Sequence, residues 1–418
     1  MTQTNEEKLS LADGLLPANR ANPYELYRRL RENDPVYWDE RANSWVLTRY
    51  IDVAAALRDA RFSATGFMED ISWLPDEMRP MLEPPIRALT RQMLFMDPPD
   101  HTRLRGLVAK AFTPRVVEGL RPAIKQIASE LLDSAQAQGH MELIRDFAFP
   151  LPAIVIATML GVPPEDRDQL NAWSESFGAL LDGSTLSMEN AFLALHGVSE
   201  FIAYFREIIR QRRSAPRDDL LQAMINAEEQ GDALSEEELL GNCVLIMAAG
   251  HGTTTHLIGN GTLALLRNPQ QLQQLKEEPA LMPSAVAELL RYDSPVQMTS
   301  RRAKEDMRIG GKRISEGQEV VMCTGAANHD PAQFSDPDRL RLNRSENRHL
   351  SFGLGIHFCL GAPLARLEGE IAFHALLRRF PTLRLANEEA EWQGGMVFRS
   401  LKQLPALANL GLYKRTGR

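Results

Sequence analysis

Ser351-Phe-Gly-Leu-Gly-Ile-His-Phe-Cys-Leu-Gly361 decides how this chain is read. The stretch sets Cys359 in a glycine-rich loop, and a helical pattern follows from Ala362 to Arg379. Glycines at 353, 355 and 361 permit backbone angles that a Cβ resists. Such a loop can turn its N–H groups toward the sulfur, and the helix N-terminus behind it favours a thiolate over a thiol. A thiolate held in this way can serve as an axial ligand to haem iron. A lone cysteine is more often a small buried hydrophobe. The residues around this one weigh against that plainer reading.

Composition narrows the classes. The 418 residues are 44% apolar, enough for a large core, and carry a formal net charge of −8. That charge, with no block rich in lysine and arginine, argues against nucleic acid as the main partner. The three cysteines, Cys243, Cys323 and Cys359, lack paired spacing. They fit a reducing compartment rather than a disulfide framework or a zinc site. The polar start, Met1 to Lys8, has no apolar signal core, and the strongest apolar run, Cys243 to Ala249, is too short to cross a bilayer. A cytoplasmic protein with no membrane segment is expected. No repeat or long linker divides the chain, so one domain over 1–418 is expected, with 1–20 as a flexible segment.

The elements read as mainly α with a small β portion. Asn22-Pro-Tyr starts a short amphipathic helix, and Val36-Tyr-Trp with Ser44-Trp-Val-Leu-Thr forms a hairpin. Residues 63–91 are poorly periodic. Helical patterns dominate from His101 to about Arg212, with an interruption near Gly183. Ser235-Glu-Glu-Glu238 is a capping box that opens a long helix to about Leu266. Another helix spans Met282 to Tyr292. Irregular and short-strand segments fill 293–350, and strands with loops fill 391–413.

Phe352, Gly355, His357, Cys359 and Gly361, followed by Gly-Ala-Pro-Leu-Ala-Arg-Leu-Glu, resemble the haem-binding signature of the cytochrome P-450 family. The likeness extends over nearly the whole chain and is strongest to soluble bacterial members. It implies the cytochrome P-450 fold, a triangular helix-rich prism around a buried haem b, with Cys359 as the axial thiolate. It also implies roles for other residues. His101, Arg105, Arg301 and His357 would hold the haem propionates, since arginine and histidine suit carboxylates. Phe352, Gly361 and Ala249 would lie against the haem. Glu288-Leu-Leu-Arg291 puts opposite charges three apart on one helix face. The resemblance adds Arg339 to make a buried structural network on the proximal side.

The long helix carries Ala249-Gly-His-Gly-Thr-Thr254. In the family this stretch crosses the distal face, with a local break that makes room for oxygen. Gly250 and Gly252 each weaken a helix by roughly 1 kcal/mol relative to alanine, a cost that either a distortion or tight packing explains. Most members of that family carry Asp or Glu directly before the threonine, but this chain has Gly252. Thr253 remains as the catalytic hydroxyl, with Gly252 and Thr254 beside it, and His251 is read as structural. Three readings follow: a substrate group completes the proton relay, ordered water enters the space that glycine leaves, or the enzyme uses peroxide or runs chemistry with different proton demands.

The same resemblance places Met247, Ala248, Gly252, Val296, Met298, Met396 and Val397 in the substrate pocket, with parts of 63–93 and 177–188. Their apolar, methionine-rich character suits an irregular organic ligand, although any one methionine can be plain core filling. The implied activity is a monooxygenase that inserts one oxygen atom from dioxygen into a small apolar substrate. Hydroxylation or epoxidation of a polyketide or macrolide-like secondary metabolite, as in antibiotic biosynthesis, is the first expectation. A peroxide-using peroxygenase and a non-catalytic haem ligand-binding or sensor protein are the alternatives. No flavin or iron–sulfur segment is recognised, so electrons would come from a separate ferredoxin and ferredoxin reductase. Lys110, Arg115, Arg366, Arg378 and Arg379 offer a basic docking face to an otherwise monomeric protein.

Overall fold

The longest helix organises the rest. The computed structural model describes residues 9–66, 76–138, 141–182, 187–229, 234–387 and 389–407. Its principal helices are α1 (Pro23–Asn33), α2 (Arg79–Thr90), α3 (Asp100–Val108), α4 (Arg121–Gln138), α5 (Pro150–Met159), α6 (Arg167–Asp182), α7 (Met188–Ser214), α8 (Glu236–Arg267), α9 (Met282–Tyr292) and α10 (Ala362–Arg379). Ser235 caps α8 as its sequence foretells, with the Glu238 carboxylate returning to the Ser235 N–H at 2.7 Å. Helix α8 is buried on nearly all sides, as an apolar helix at the centre of a large core must be. It packs on α2, α5, α6, α7, α9 and α10. Two glycines admit its neighbours: a Cβ on Gly241 would lie 2.1 Å from the Ala88 carbonyl oxygen, and one on Gly250 would lie 2.7 Å from Ile156 Cγ1. Gly250 is thus a packing glycine.

A smaller sheet flanks the helices. The hairpin of β1 (Val36–Asp39) and β2 (Ser44–Leu47) pairs Val36 with Leu47. With β3 (Phe62–Ser63), β4 (Thr299–Ala303) and β5 (Glu319–Met322) it forms one sheet in the order β1-β2-β5-β4-β3, in which β2 and β5 run parallel. Two later strands, β6 (Glu391–Gln393) and β7 (Ser400–Gln403), pair antiparallel around a tight loop. Among the described residues no helix is long and apolar enough to cross a membrane.

Three expectations change. Residues 9–20 are not loose: Leu11–Leu15 forms a 3-10 helix capped by Ser10, and the Ser10 hydroxyl and Leu11 N–H donate to buried Asp39 at 2.9 and 2.7 Å. Residues 1–8 lie outside the described set, as do 67–75, Gly183 with its three successors, and 408–413. The stretch read as poorly periodic contains α2, which holds its helical form despite Pro84 and Pro85 inside it. Leu82, Ile86 and Leu89 are buried along one face, and their packing outweighs the hydrogen bonds the prolines forgo. Finally, α8 runs without interruption through Ala249–Thr254, so no break opens there.

Candidate active site

The cysteine loop is built by its own backbone. Gly353 N–H donates to the Leu350 carbonyl at 2.8 Å, Cys359 N–H to Phe352 at 2.9 Å, and Phe358 N–H to Gly355 at 3.1 Å. Gly353 and Gly355 sit at φ +66 and +72, where a side chain is strained. At Gly355 a Cβ would also lie 2.5 Å from the Leu57 carbonyl oxygen. Gly361, expected to need the same freedom, has φ −79 and caps α10 in an ordinary conformation.

Burial pushes the Cys359 thiol up. The N–H groups of Gly361 and Ala362 and the guanidiniums of Arg105 and Arg366 pull the other way. The helix N-terminus therefore assists the thiolate but does not prevail over desolvation. A bound cation would tip the balance, because metal coordination deprotonates a thiol outright. Cys243 and Cys323 are buried and their thiols are pushed up, Cys323 to about 12, so neither competes as a ligand.

Beside the loop stands a cluster with surplus positive charge. The His101 and His357 rings lie 4.2 Å apart. Both ring nitrogens of His101 and Nε2 of His357 are buried with no hydrogen-bond partner among the described residues. Burial, then Arg301 and His101, lower His357 to about 3; burial, then Arg105, lowers His101. Asp97 is the acid that opposes these shifts. Arg301 donates to the Thr299 hydroxyl at 3.1 Å and the Ser300 carbonyl at 2.7 Å, and Arg105 to the Phe358 carbonyl at 2.6 Å. Two guanidiniums and two orphaned imidazoles form a receptor for anions. With Cys359 nearby, the set fits the propionates and the iron of haem.

The middle of α8 presents a partly accessible strip, Ala248, Ala249, Gly252 and Thr253, on an otherwise buried helix. These positions share a face by helical periodicity. The Thr253 hydroxyl donates to the Ala249 carbonyl at 3.0 Å, a bond within the helix. A Cβ on Gly252 would meet nothing within 4 Å. His251 turns the other way, with Nδ1 3.2 Å from the Met247 carbonyl. Met247 is wholly buried in the main core, so its side chain is core filling rather than pocket wall. Met298 and Met396 line a small cleft with Leu11, Tyr27 and Phe398. Val296 pairs with Phe398 in an isolated bridge beside Val397.

The expected charge network exists with a different member. Glu288 and Arg291 are fully buried and joined by two 2.8 Å bonds. The third charge is Arg344, whose Nε donates to Glu288 at 3.0 Å. Arg339 contributes only its carbonyl, at 3.4 Å from Arg291 and from Arg344, because the turn from Asp336 aims its side chain outward. The network reaches the cysteine loop. Arg291 donates to the Asn328 carbonyl at 2.8 Å, and the Asn328 side chain holds Leu350 N–H at 2.7 Å and the Ser351 hydroxyl at 3.0 Å. On the basic face, Lys110, Arg115 and Arg378 are exposed, whereas Arg379 pairs with Asp133 and Arg366 lies over the Phe352 ring at 4.9 Å.

Sequence reasoning passed over three further groups. Glu368 lies on α10 between Leu364 and Ile371, on the apolar face of that helix, a misplaced charge that the pattern shows. Burial pushes its carboxyl up to about 8, opposed by the Thr254 hydroxyl, and neither oxygen has a hydrogen bond of ordinary geometry. His256 lies one turn beyond Gly252, with its ring 6.2 Å from Phe398, and burial lowers it to about 4. Phe398 shows its role only through the fold.

Residues 76–393 match the family description of Cytochrome P450. The chain is 43% identical to the polyketide biosynthesis cytochrome P450 PksS of Bacillus subtilis over 92% of its length and 95% of the relative. It is 41% identical to cytochrome P450 CYP107DY1 of Priestia megaterium, covering 96% and 100% of the two chains. The solved structure of P450BioI in complex with an acyl carrier protein ligated to hexadec-9Z-enoic acid superposes with a TM-score of 0.87. It is 41% identical and covers 94% of this chain and 100% of that one. The chain belongs to the cytochrome P450 family of haem-thiolate monooxygenases, oxidoreductases that act on organic substrates with dioxygen and redox partners.

Replacing Arg344 by leucine leaves a buried carboxylate short of a partner and should cost about 3 kcal/mol in urea unfolding. The same change at exposed Arg339 should stay within about 0.5 kcal/mol. Equal losses would refute the assignment of Arg344.

The folded chain holds a proton on Glu368 up to about pH 8, whereas the carboxyl's ordinary value is 4.5. The native state therefore binds more protons between those values, and stability falls as pH rises through them. Glu368→Gln should match the parent near pH 5 and exceed it by on the order of a few kcal/mol at pH 9. Parallel pH profiles would show that the carboxyl is not buried as described.

Proposed function

We propose that this protein oxidises a polyketide or macrolide-like secondary metabolite by hydroxylation or epoxidation. In this reading Cys359 ligates haem b, His101, Arg105, Arg301 and His357 hold its propionates, and Phe352, Gly361 and Ala249 lie against it. The observation that carries the reading is the orphaned His101–His357 pair beside Cys359, backed by kinship to a polyketide biosynthesis P450. When bound, the haem supplies the activation of dioxygen, with the thiolate favouring O–O cleavage.

The chain's own groups do the rest. Ala248, Gly252, Val296 and Val397 border an apolar site that excludes bulk water. The Thr253 hydroxyl rests on the Ala249 carbonyl and can turn to pass a proton, as a hydroxyl both donates and accepts. Gly252 leaves its side-chain position open, so water or a polar group of the substrate stands where relatives place an acid. Electrons come from a separate ferredoxin and its reductase, which dock on the face of Lys110, Arg115 and Arg378. The protein acts as a cytoplasmic monomer of one domain.

A spectral binding screen of macrolides and other polyketides checks the substrate class. Hits are then incubated with surrogate redox proteins, and products are identified by mass spectrometry. At least one polyketide should perturb the haem spectrum and gain one oxygen atom; binding and turnover confined to other chemical classes would remove the assignment.

Gly252→Glu tests the proton path. The open position accepts the side chain, so coupling of electrons to product should rise severalfold if only an acid is missing. A collapse of turnover with haem content intact would show instead that the space belongs to the substrate. Peroxide-supported turnover matching the partner-supported rate in the parent enzyme would favour the peroxygenase reading.

A further inference from the structure

Asp182 lies on α6, and only 6% of it is exposed. Taking a carboxylate out of water carries a desolvation cost. Burial accordingly raises its pKa. The compensation comes from one loop. The carboxylate accepts hydrogen bonds from the backbone N–H groups of Gly395, of Val397 at 3.0 Å and of Phe398 at 2.8 Å, and the Arg20 guanidinium favours its charge. The loop is shaped for the approach. Gly394 has φ +94, and a Cβ on Gly395 would stand 2.3 Å from the Asp182 carbonyl oxygen.

The same loop is tied on its other side. The Val397 carbonyl accepts from Gln297 N–H at 2.8 Å, and Arg399 N–H donates to the Pro295 carbonyl at 3.0 Å. Its Phe398 ring faces His256, one turn from Gly252 on α8. The 394–398 loop thus joins α6, through the Asp182 carboxylate, to the 295–297 segment and sets Phe398 beside α8.

We propose that Asp182 is a positioning residue, a latch that fastens α6 to the 394–398 loop and thereby fixes the wall of the substrate site opposite α8. The inference rests on the haem site described above. The latch acts on the fit and residence of ligands that reach the loop and does not touch the iron.

The experiment uses the haem-loaded enzyme with two azoles that ligate haem iron: imidazole, too small to reach the loop, and clotrimazole, which fills the cavity. Asparagine offers one acceptor oxygen and turns an NH2 toward a backbone N–H. Asp182→Asn and Asp182→Ala should therefore release clotrimazole about tenfold faster and bind it correspondingly more weakly, with imidazole affinity within about twofold. Amide exchange at Val397 and Phe398 should quicken at least about tenfold, without a comparable change in α8. Unchanged clotrimazole release in both variants overturns the proposal. So does an equal loss of both azoles with haem retained, which marks a general structural role. If the Asp182 variants fail to load haem, Gly395→Ala presses on the latch from the other side and must show the same split, or the proposal falls. Failure of the parent to bind imidazole would count against the haem site instead.

Discussion

The buried pair of Glu288 and Arg291 is the constraint on which the cysteine loop depends. Two charges with no exposure are stable together only while every lone pair and N–H is answered. Arg344, Asn347 and the Arg341 N–H complete the carboxylate, while carbonyls of Asn328 and Pro337 complete the guanidinium. Asn328 passes this rigidity to Leu350 and Ser351, where the loop begins. The start of the cysteine loop is therefore tied, through Asn328, to a buried ion pair.

Polar groups elsewhere near the site follow the opposite logic. Among the described residues, buried nitrogens of His101, His357 and His256 and both Glu368 oxygens lack hydrogen-bond partners, and burial drives each group toward its neutral form. Imidazoles without partners beside two arginines are costly in a bare fold, and an anionic ligand relieves that cost. Behind the cysteine loop, by contrast, the Glu288 carboxylate and Arg291 guanidinium find partners on every side, which holds the geometry still.

Local pattern carried far in the sequence. Ser235 with Glu238 and Ala362 to Arg379 were readable because capping and period are properties of a few adjacent residues. The hairpin at Val36–Leu47 was readable for the same reason. Helix α2 was not, because its prolines obscure a face whose stability comes from the helices it packs against. Arg344 was missed for Arg339 because a turn at Asp336 decides which side chain faces inward. Met247 read as pocket wall because nothing local separates a methionine in a cavity from one in a core.

By itself the sequence determined the ligand cysteine, the glycine-rich loop around it and the long helix, each from residue chemistry at short spacing; the propionate-binding set came from the resemblance to the family. Only the tertiary structure decided which charges meet, which nitrogens stay unpartnered and which glycines serve packing rather than freedom. It also brought Asp182 against a loop more than two hundred residues away. Those are outcomes of long-range packing, where burial converts an ordinary side chain into a brace, a latch or an orphan.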